Sequence, residues 1–361
     1  MKPLLPPLLV AAALLISPMP CLSKEPTLVL TRQEIDSMST FSAVVKRNWK
    51  RWSQGNASVS KLDLIAQVAR HEYRGEDAAA LVALETYLRK VSSVDMDTAA
   101  AIENEKIIKV YQRNVLKLRR VKRTIYANGR PTFELLQQGP PGDCYFFSAT
   151  GWMAKNRPSV IMDSIMQLED GRYAVRFPNG DQATVTTPTD AELAINDSDS
   201  TLQDGLWMSI LEKATGVIQQ RSISRSANLP DPTVAIDIPG VPIASTVERW
   251  TGNETKKYPL GRRANREHVR NGLIAMHKHN RLATALLLHR PPAKLAFDHV
   301  YAIMDFNPET DTLTIWNPWG TDFTPDGPSG PENGYERKKG IFYLSLDEFI
   351  SFFSFLAIEH K

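Results

Sequence analysis

The chemistry available to this sequence depends on a single thiol. Only two cysteines occur in 361 residues, too few for a disulfide-stapled scaffold or a Cys-rich zinc module. Cys21 lies in an N-terminal stretch that has the features of a cleavable export signal. Its removal would leave Cys144 without a disulfide partner. Such a thiol is either a buried packing residue or a nucleophile, and the number of cysteines alone favours the packing role.

The surroundings of Cys144 predict a special place for its sulfur. Gly139, Pro140, Pro141 and Gly142 exclude regular structure, and Asp143 is a suitable N-cap. The apolar pattern that follows predicts a helix from Cys144 that ends before Pro158. The thiol would then lie beside unpaired backbone N–H groups at the first turn, where a thiolate is favoured.

A helix terminus alone cannot hold a thiolate. Lowering a thiol pKa from about 8.5 to about 4 requires roughly 6 kcal/mol, whereas a helix end contributes at most about 2 kcal/mol. A second positive group must therefore lie close to Cys144. In cysteine hydrolases this group is an imidazolium, so one of the seven histidines is expected to supply it.

His299 is the best candidate for this base. It opens an apolar strand that runs to Asp305 and is followed by a turn at Asn307-Pro308-Glu309 and a return strand from Thr312 to Asn317. For the remaining histidines a solvated or packing role is favoured. These are His71, His268, His277, His279, His289 and His360.

Pairing these two strands about Pro308 would place a base beside its orienting group. Ile303 would then face Leu313, and His299 would face Asn317. Directly opposed residues have Cβ atoms about 4.5 to 5.5 Å apart, so the Asn317 amide could accept the imidazole N–H. Asn317 would fix the tautomer and the ring plane as the third member of a triad. A slip of one residue would break this arrangement.

The elements that position these residues divide the chain in two. Residues 24–130 have helical patterns at Lys61 to His71, Glu76 to Val91 and Thr98 to Ile125. Residues 131–225 mix short helices with a hairpin at Tyr173 to Val185, and strands predominate from 230 to 355, with helices near Glu267 to His279 and Leu346 to Phe355. Helices first and strands later indicate an α+β fold.

Residues 1–23 are predicted to be a secretory signal peptide. Lys2 precedes an apolar run from Leu4 to Ile16, and Cys21-Leu22-Ser23 supplies small residues for cleavage. An uncleaved anchor is less favoured because the run is shorter than the roughly 20 residues of a spanning helix. The mature protein is expected to be secreted or periplasmic without stable membrane insertion. A net charge of +3 argues against nucleic acid as a partner.

Six strings in order resemble the calpain protease core. They are QGPPGDCYFF with Gln138 and Cys144, LWMSILEKATG from Leu206 to Gly216, PGVPIASTVERWTG from Pro239 to Gly252, DHVYAI around His299, WNPWG from Trp316 to Gly320, and GIFYLSLDEF from Gly340 to Phe349. The resemblance covers residues 130–355. It implies a calpain-like cysteine protease with a papain-like core of two subdomains, 131–225 and 230–355, preceded by an N-terminal helical region.

The resemblance also implies a role for each site residue. Cys144 would be the nucleophile, His299 the general base and acid, and Asn317 the orienting residue. Gln138 would donate to the oxyanion together with the Cys144 backbone N–H, a contribution of about 3 to 4 kcal/mol in related sites. The neighbouring Gln137 is its rival. Trp319 would shield the bond between His299 and Asn317 from water.

Two features depart from the family pattern. Asp298 replaces the glycine that usually precedes the histidine, and its charge would raise the His299 pKa if it points inward. The second departure concerns calcium. Calpain cores bind calcium through carboxylate-rich loops, although the chemistry itself requires no cofactor. The acidic stretch of Asp197, Asp199 and Asp204 lacks EF-hand spacing, so a solvated loop is the favoured interpretation.

Other functions and the N-terminal region remain open at this point. Protein or peptide substrates are expected, with a transglutaminase-like acyl transferase or a non-catalytic binding module on a protease fold as alternatives. Residues 24–130 could be a propeptide, present substrate or support the core. A basic cluster near their end is interpreted as a solvated helix face, with binding of an acidic partner second: Arg113, Lys117, Arg119, Arg120, Lys122 and Arg123.

Overall fold

The computed structural model describes residues 32–102, 104–196, 200–222, 231–236 and 242–361. The predicted signal peptide lies outside these residues. Within the described ranges, no helix has both the length and the apolar character needed to cross a bilayer.

The chain combines helices with antiparallel sheets. The helices are α1 (Arg32–Trp52), α2 (Lys61–Val68), α3 (Glu76–Leu88), α4 (Met96–Ala100), α5 (Glu105–Arg120), α6 (Cys144–Asn156), α7 (Pro158–Ser164), α8 (Asp190–Asn196), α9 (Ser200–Gln203), α10 (Trp207–Ser222), α11 (Pro232–Ala235), α12 (Ile243–Thr251), α13 (Arg266–Lys278) and α14 (Leu346–Phe352). The strands are β1 (Ser58–Ser60), β2 (Ser93–Asp95), β3 (Ile165–Gln167), β4 (Tyr173–Arg176), β5 (Gln182–Val185), β6 (Glu254–Pro259), β7 (Ala283–Leu287), β8 (His299–Asn307), β9 (Thr312–Trp316), β10 (Ile341–Ser345) and β11 (Phe355–His360). The predicted α+β class is confirmed.

The N-terminal region is helical, as its periodicity predicts, but its last helix is divided. The continuous helix expected from Thr98 to Ile125 is instead α4 followed by α5. Asn104 causes the division, because its side chain caps α5 by accepting the N–H of Lys106. Apolar side chains of α1, α3 and α5 share one continuous core with those of α6 and α10. The helical region therefore packs as part of the body that carries Cys144.

The nucleophile helix begins where the sequence predicts. The Gly/Pro loop ends at Asp143, and α6 runs from Cys144 to Asn156, before Pro158. The predicted hairpin from Tyr173 to Val185 is also present as β4 and β5, with Arg176 opposite Gln182. Gly180 in its turn has φ 93°, a conformation that glycine adopts without steric cost.

The strand-rich half is built on one sheet. Among the described residues, six strands pair in the order β10-β9-β8-β7-β11-β6. Strand β8 is buried on both faces, since Val300 and Ala302 join the core of α6 while Tyr301 and Ile303 join a second core with α13 and α14. This sandwiching brings the start of β8 against the start of the nucleophile helix.

Gly151 sets the distance between the nucleophile helix and the sheet. A Cβ atom at this position would lie 2.1 Å from Cζ3 of Trp316 at the end of β9. Trp316 cannot retreat easily, because its ring packs edge-on against Phe133 at 5.0 Å and its Nε1 donates to the Lys339 carbonyl. The close approach of α6 to β9 therefore depends on glycine at position 151, which has no side chain.

Gly151→Ala is expected to destabilise the protein. Alanine favours helix by about 1 kcal/mol over glycine, but the overlap with Trp316 should outweigh this gain and lower the free energy of unfolding by about 1 to 3 kcal/mol. Urea denaturation measures the change. In a Trp316→Phe background the overlapping ring atoms are gone, so the same substitution should be neutral or stabilising. An increase in stability in the wild-type background would contradict this account.

Candidate active site

Cys144 lies at the first turn of α6, against the beginning of β8. Its sulfur accepts hydrogen bonds from the backbone N–H groups of Val300 and Tyr145. One turn later, Ser148 Oγ donates to the Val300 carbonyl at 2.8 Å. Because Val300 directly follows His299, these bonds bring the thiol to the end of β8 that carries the imidazole.

His299 and Asn317 meet, but not in the predicted register. Ala302 pairs with Trp316 and Ile303 with Ile315, a shift of two residues from the predicted pairing. A bulge at Met304 adds a further residue of shift toward the turn. The prediction that His299 directly faces Asn317 is therefore wrong.

A two-residue shift leaves every side chain on its original face. Extending the observed pairing places His299 opposite Trp319 and diagonal to Asn317, within reach of a long side chain. His299 Nε2 and Asn317 Oδ1 lie 2.9 Å apart.

The tautomer of His299 follows from the orientation of the Asn317 amide. The backbone N–H of Trp319 donates to Asn317 Oδ1 at 3.0 Å, which identifies that atom as the oxygen. His299 Nε2 must then carry a hydrogen to donate to the same oxygen. Nδ1 of the neutral ring is left with a lone pair that can accept a proton.

Trp319 packs against the imidazole. The two ring centroids are 4.5 Å apart with planes inclined by 43°. Trp319 is 42% exposed, whereas His299 and Asn317 are each 3% exposed. Its indole thus lies between solvent and the buried pair. Tyr301 packs edge-on against the imidazole at 4.9 Å.

Burial keeps both reacting groups neutral. It raises the pKa of the Cys144 thiol to about 12, with smaller upward contributions from the charges of Asp143 and Asp298. It lowers the pKa of His299 to about 4, although the bond to Asn317 and the charge of Asp298 act in the opposite direction. The predicted lowering of the thiol pKa is therefore wrong for this arrangement, because loss of solvation outweighs the helix terminus.

Gln138 lies beside the nucleophile, with its amide turned inward. Its Nε2 donates to the Pro141 carbonyl at 2.7 Å and to Asp143 Oδ1 at 3.0 Å. Its backbone N–H donates to the Pro318 carbonyl at 2.8 Å, which joins the Gly/Pro loop to the segment after β9. One of the two amide bonds must be exchanged before Gln138 can donate to a substrate.

Asp143 does not cap α6 in the predicted way. It occupies the N-cap position, but its side chain makes no capping hydrogen bond to the helix. The carboxylate instead accepts from Gln138. The rival Gln137 lines a surface cavity together with Gly320.

A comparison with protein families identifies the family of this chain. Residues 119–329 match the family described as "Calpain family cysteine protease", and the match covers more than half of the chain. This chain belongs to the calpain family of cysteine proteases. It is thus a cysteine peptidase with protein substrates. A search of curated proteins finds no significant match.

Within this calpain-family core, Asp298 stands in a position that suits glycine. Its φ is 51°, in the left-handed region that aspartate tolerates better than most residues. The carboxylate lies close enough to raise the pKa values of both His299 and Cys144. The sequence-based expectation that its charge acts on His299 is confirmed.

Asp298→Asn is expected to shift activity toward acid. Asparagine tolerates the same backbone conformation but removes the charge, so the pKa values of His299 and Cys144 should both fall. The decline in kcat/KM on the acid side, expected near the His299 pKa of about 4, should move lower by up to about one pH unit. A pH–rate profile measures it. Asp298→Gly should shift equally, and an upward shift in both variants would contradict the electrostatic explanation.

Of the three acidic residues before α10, the structure describes Asp204, and its carboxylate is not free to bind calcium. Both oxygens of Asp204 are engaged, since they accept from Asn128 Nδ2, the Thr132 N–H and Trp207 Nε1. Asp197 and Asp199 lie outside the described residues. Within the described ranges, no group of three or more His, Cys, Asp or Glu side chains could hold a metal ion. Asp204 therefore does not fit a calcium ligand.

Two buried residues near the site were not apparent from the sequence. Glu212 lies in α10 and forms a hydrogen bond with the Asp143 carboxyl group. Lys117, predicted on a solvated face, is only 4% exposed. Glu212 lies within the LWMSILEKATG string, and its position among apolar residues of a buried helix was the available signal.

Proposed function

We propose that this protein is a secreted endopeptidase that cleaves peptide bonds through Cys144, His299 and Asn317. The observation that supports this most strongly is the buried bond between His299 Nε2 and Asn317 Oδ1, which directs the Nδ1 lone pair away from Asn317. Val300 binds the Cys144 sulfur directly beside that imidazole. Nucleophile, base and orienting residue are thus all supplied by this one region.

The reaction proceeds by acyl transfer. As the Cys144 sulfur attacks the peptide carbonyl carbon, its proton passes to His299 Nδ1, which suits a resting pair that is neutral. The imidazolium then protonates the leaving amine, the C–N bond breaks, and a thioester remains on Cys144. Water attacks the thioester with His299 as base, and the thiol regains its proton when the acid product leaves.

The negative oxygen formed during attack needs hydrogen-bond donors. The backbone N–H of Cys144, at the first turn of α6, is one of them. Gln138 becomes the second when one of its amide hydrogens leaves Pro141 or Asp143 for the substrate. Trp319 excludes water from the bond between His299 and Asn317 and so preserves the ring orientation.

A cavity of about 410 Å³ lies at the junction of the two halves. It is lined from one side by Phe133, Leu136 and Gln137 and from the other by Trp316, Gly320 and Ile341, together with the charged residues Glu134, Lys155 and Lys339. None of the reacting side chains lines this cavity, so it adjoins the proposed site through the chain neighbours of Gln138 and Trp319.

Hydrolysis of unfolded casein tests the proposed endopeptidase activity. The protein without residues 1–23 should release acid-soluble peptides of internal sequence, and prior alkylation with iodoacetamide should abolish this release. The assay is run with calcium and with a chelator, and a loss of activity in the chelator would assign calcium a role. Release of single terminal amino acids only, or full activity after Cys144 is alkylated, would contradict the proposal.

Export is a separate part of the proposal. Expression of the full chain in a secreting bacterial host should yield extracytoplasmic protein whose N-terminus is Lys24. Retention of residues 1–23 on the mature protein would contradict the cleaved signal.

A further inference from the structure

A carboxyl pair lies buried beneath the nucleophile. Glu212 is 1% exposed and Asp143 is fully buried, and their side chains form a hydrogen bond. Asn196 Nδ2 donates to Glu212 Oε2 at 3.0 Å. A bond between two carboxyl groups needs a proton, and burial, followed by the charge of Asp143, raises the Glu212 pKa well above its usual range. Glu212 therefore keeps its proton more readily than a free glutamate and can donate it to the Asp143 carboxylate.

The compensating charge comes from the N-terminal helical region. Lys117 of α5 is almost fully buried and donates to the Leu193 carbonyl of α8 at 2.8 Å. The same helix carries Asn196, and the ammonium charge acts on Glu212. Two carboxyl groups, one proton and one ammonium form a neutral cluster. Neutrality matters because an uncompensated buried charge is costly.

The cluster of Lys117, Glu212 and Asp143 reaches the reacting groups through Asp143. Asp143 directly precedes Cys144, and its Oδ1 accepts from Gln138 Nε2 at 3.0 Å. A change in the charge of the cluster therefore acts on both the thiol and the amide. Lys117 and Glu212 have no role in the reaction steps derived above, so their burial at this place calls for a function of its own.

We propose that Lys117 and Glu212 are positioning residues of the peptidase, which neutralise Asp143 and thereby hold Gln138 and limit negative charge near Cys144. This inference rests on the proposed function of Cys144. It makes the N-terminal helical region a permanent part of the active-site support, since α5 supplies the ammonium. Removal of that region would then lower thiol reactivity.

Lys117→Met tests the proposal, because it keeps the aliphatic length and removes the charge. Iodoacetamide alkylation of Cys144 at neutral pH, followed by mass spectrometry of its peptide, should be slower by about tenfold or more, because a higher thiol pKa leaves less thiolate. The kcat for a peptide substrate should fall at least about tenfold while KM changes less than about twofold, because neither residue binds substrate. Glu212→Gln should retain both values, since its amide still donates to Asp143. Glu212→Leu removes that donor without changing the net charge, so kcat should fall while alkylation slows less than in Lys117→Met.

Lys213→Met is the matched control. Lys213 neighbours Glu212 in α10 and is equally buried, but its ammonium bonds Glu192 and Thr186. It should lose stability in urea without a change in the alkylation rate. The proposal is overturned if Lys117→Met keeps the wild-type alkylation rate and kcat, or if Lys213→Met slows alkylation as much. If Lys117→Met does not fold, the kcat of Glu212→Leu compared with that of Glu212→Gln decides the same question.

The alkylation readout separates this inference from the peptidase proposal. Alkylation does not require catalysis, so slower alkylation of Lys117→Met supports the cluster even if the wild-type protein hydrolyses no peptide. Absence of wild-type hydrolysis overturns the proposed function alone.

Discussion

Cys144→Ser should lower kcat/KM by about 10⁴-fold or more, with only a small change in stability. The hydroxyl is far less acidic and less nucleophilic than the thiol, and His299, held neutral by burial, is arranged to remove a thiol proton. The helix start and the partly buried environment of Cys144 tolerate serine sterically. Initial rates on a fluorogenic peptide measure the loss, and urea denaturation checks that the fold persists.

The second cysteine provides the matched control. Cys21→Ser, expressed without export so that residues 1–23 are retained, removes the other thiol of the sequence and should leave kcat/KM unchanged relative to the same chain with Cys21. Substantial activity in Cys144→Ser, comparable with that of Cys21→Ser, would place the nucleophile elsewhere.

His299→Ala should cost about 10³-fold or more in kcat/KM, because neither the thiol proton nor the leaving amine has another partner in the proposed mechanism. The double variant Cys144→Ser/His299→Ala should be no slower than Cys144→Ser alone, since the two side chains act as one unit. Additive losses would show independent roles and contradict the mechanism.

Burial of His299 calls for two controls of stability. Removing the ring leaves Asn317 Oδ1 without its imidazole donor, so His299→Gln, which can still donate, should be as inactive but more stable. His289→Ala, at an exposed position, should keep wild-type kcat/KM. Inactivity of His289→Ala as well would point to a general loss of structure.

Local signals correctly predicted the placement of the reacting residues. The Gly/Pro loop before α6 and Pro158 after it limit the helix on both sides, so it could start only near Cys144. The apolar run after His299 and the turn at Pro308 likewise predicted two antiparallel strands. In each case the determining residues lie within a few positions of the feature, which is why sequence patterns are sufficient.

The strand register could not be predicted, because the turn between Asn307 and Thr312 does not fix the pairing and a bulge changes it again along the strand. Met304 is the extra residue, and no local pattern in an apolar strand distinguishes it from its neighbours. The contact between His299 and Asn317 survived the error because the shift at that end was two residues, which preserves the faces of the strands.

The electrostatics of the site depended on distant parts of the chain. The thiol pKa is dominated by loss of solvation, which arises only when β8 packs on α6. Lys117 was expected in solvent because it belongs to a cluster of basic residues, yet its ammonium bonds the Leu193 carbonyl of α8 in the core. Asp143 was expected to cap its own helix but bonds Gln138 instead. Each of these outcomes depends on tertiary packing, which charge patterns in the sequence do not encode.

The central claim is that the Cys144 sulfur becomes acylated during turnover. Acid quenching of the protein during hydrolysis of an activated peptide ester, followed by mass spectrometry of its peptides, tests this directly. We predict one acyl group on the peptide that contains Cys144, increased when deacylation is slow and absent from protein first alkylated at that residue. An acyl group on a different residue, or steady turnover without any acylated Cys144, would contradict the account.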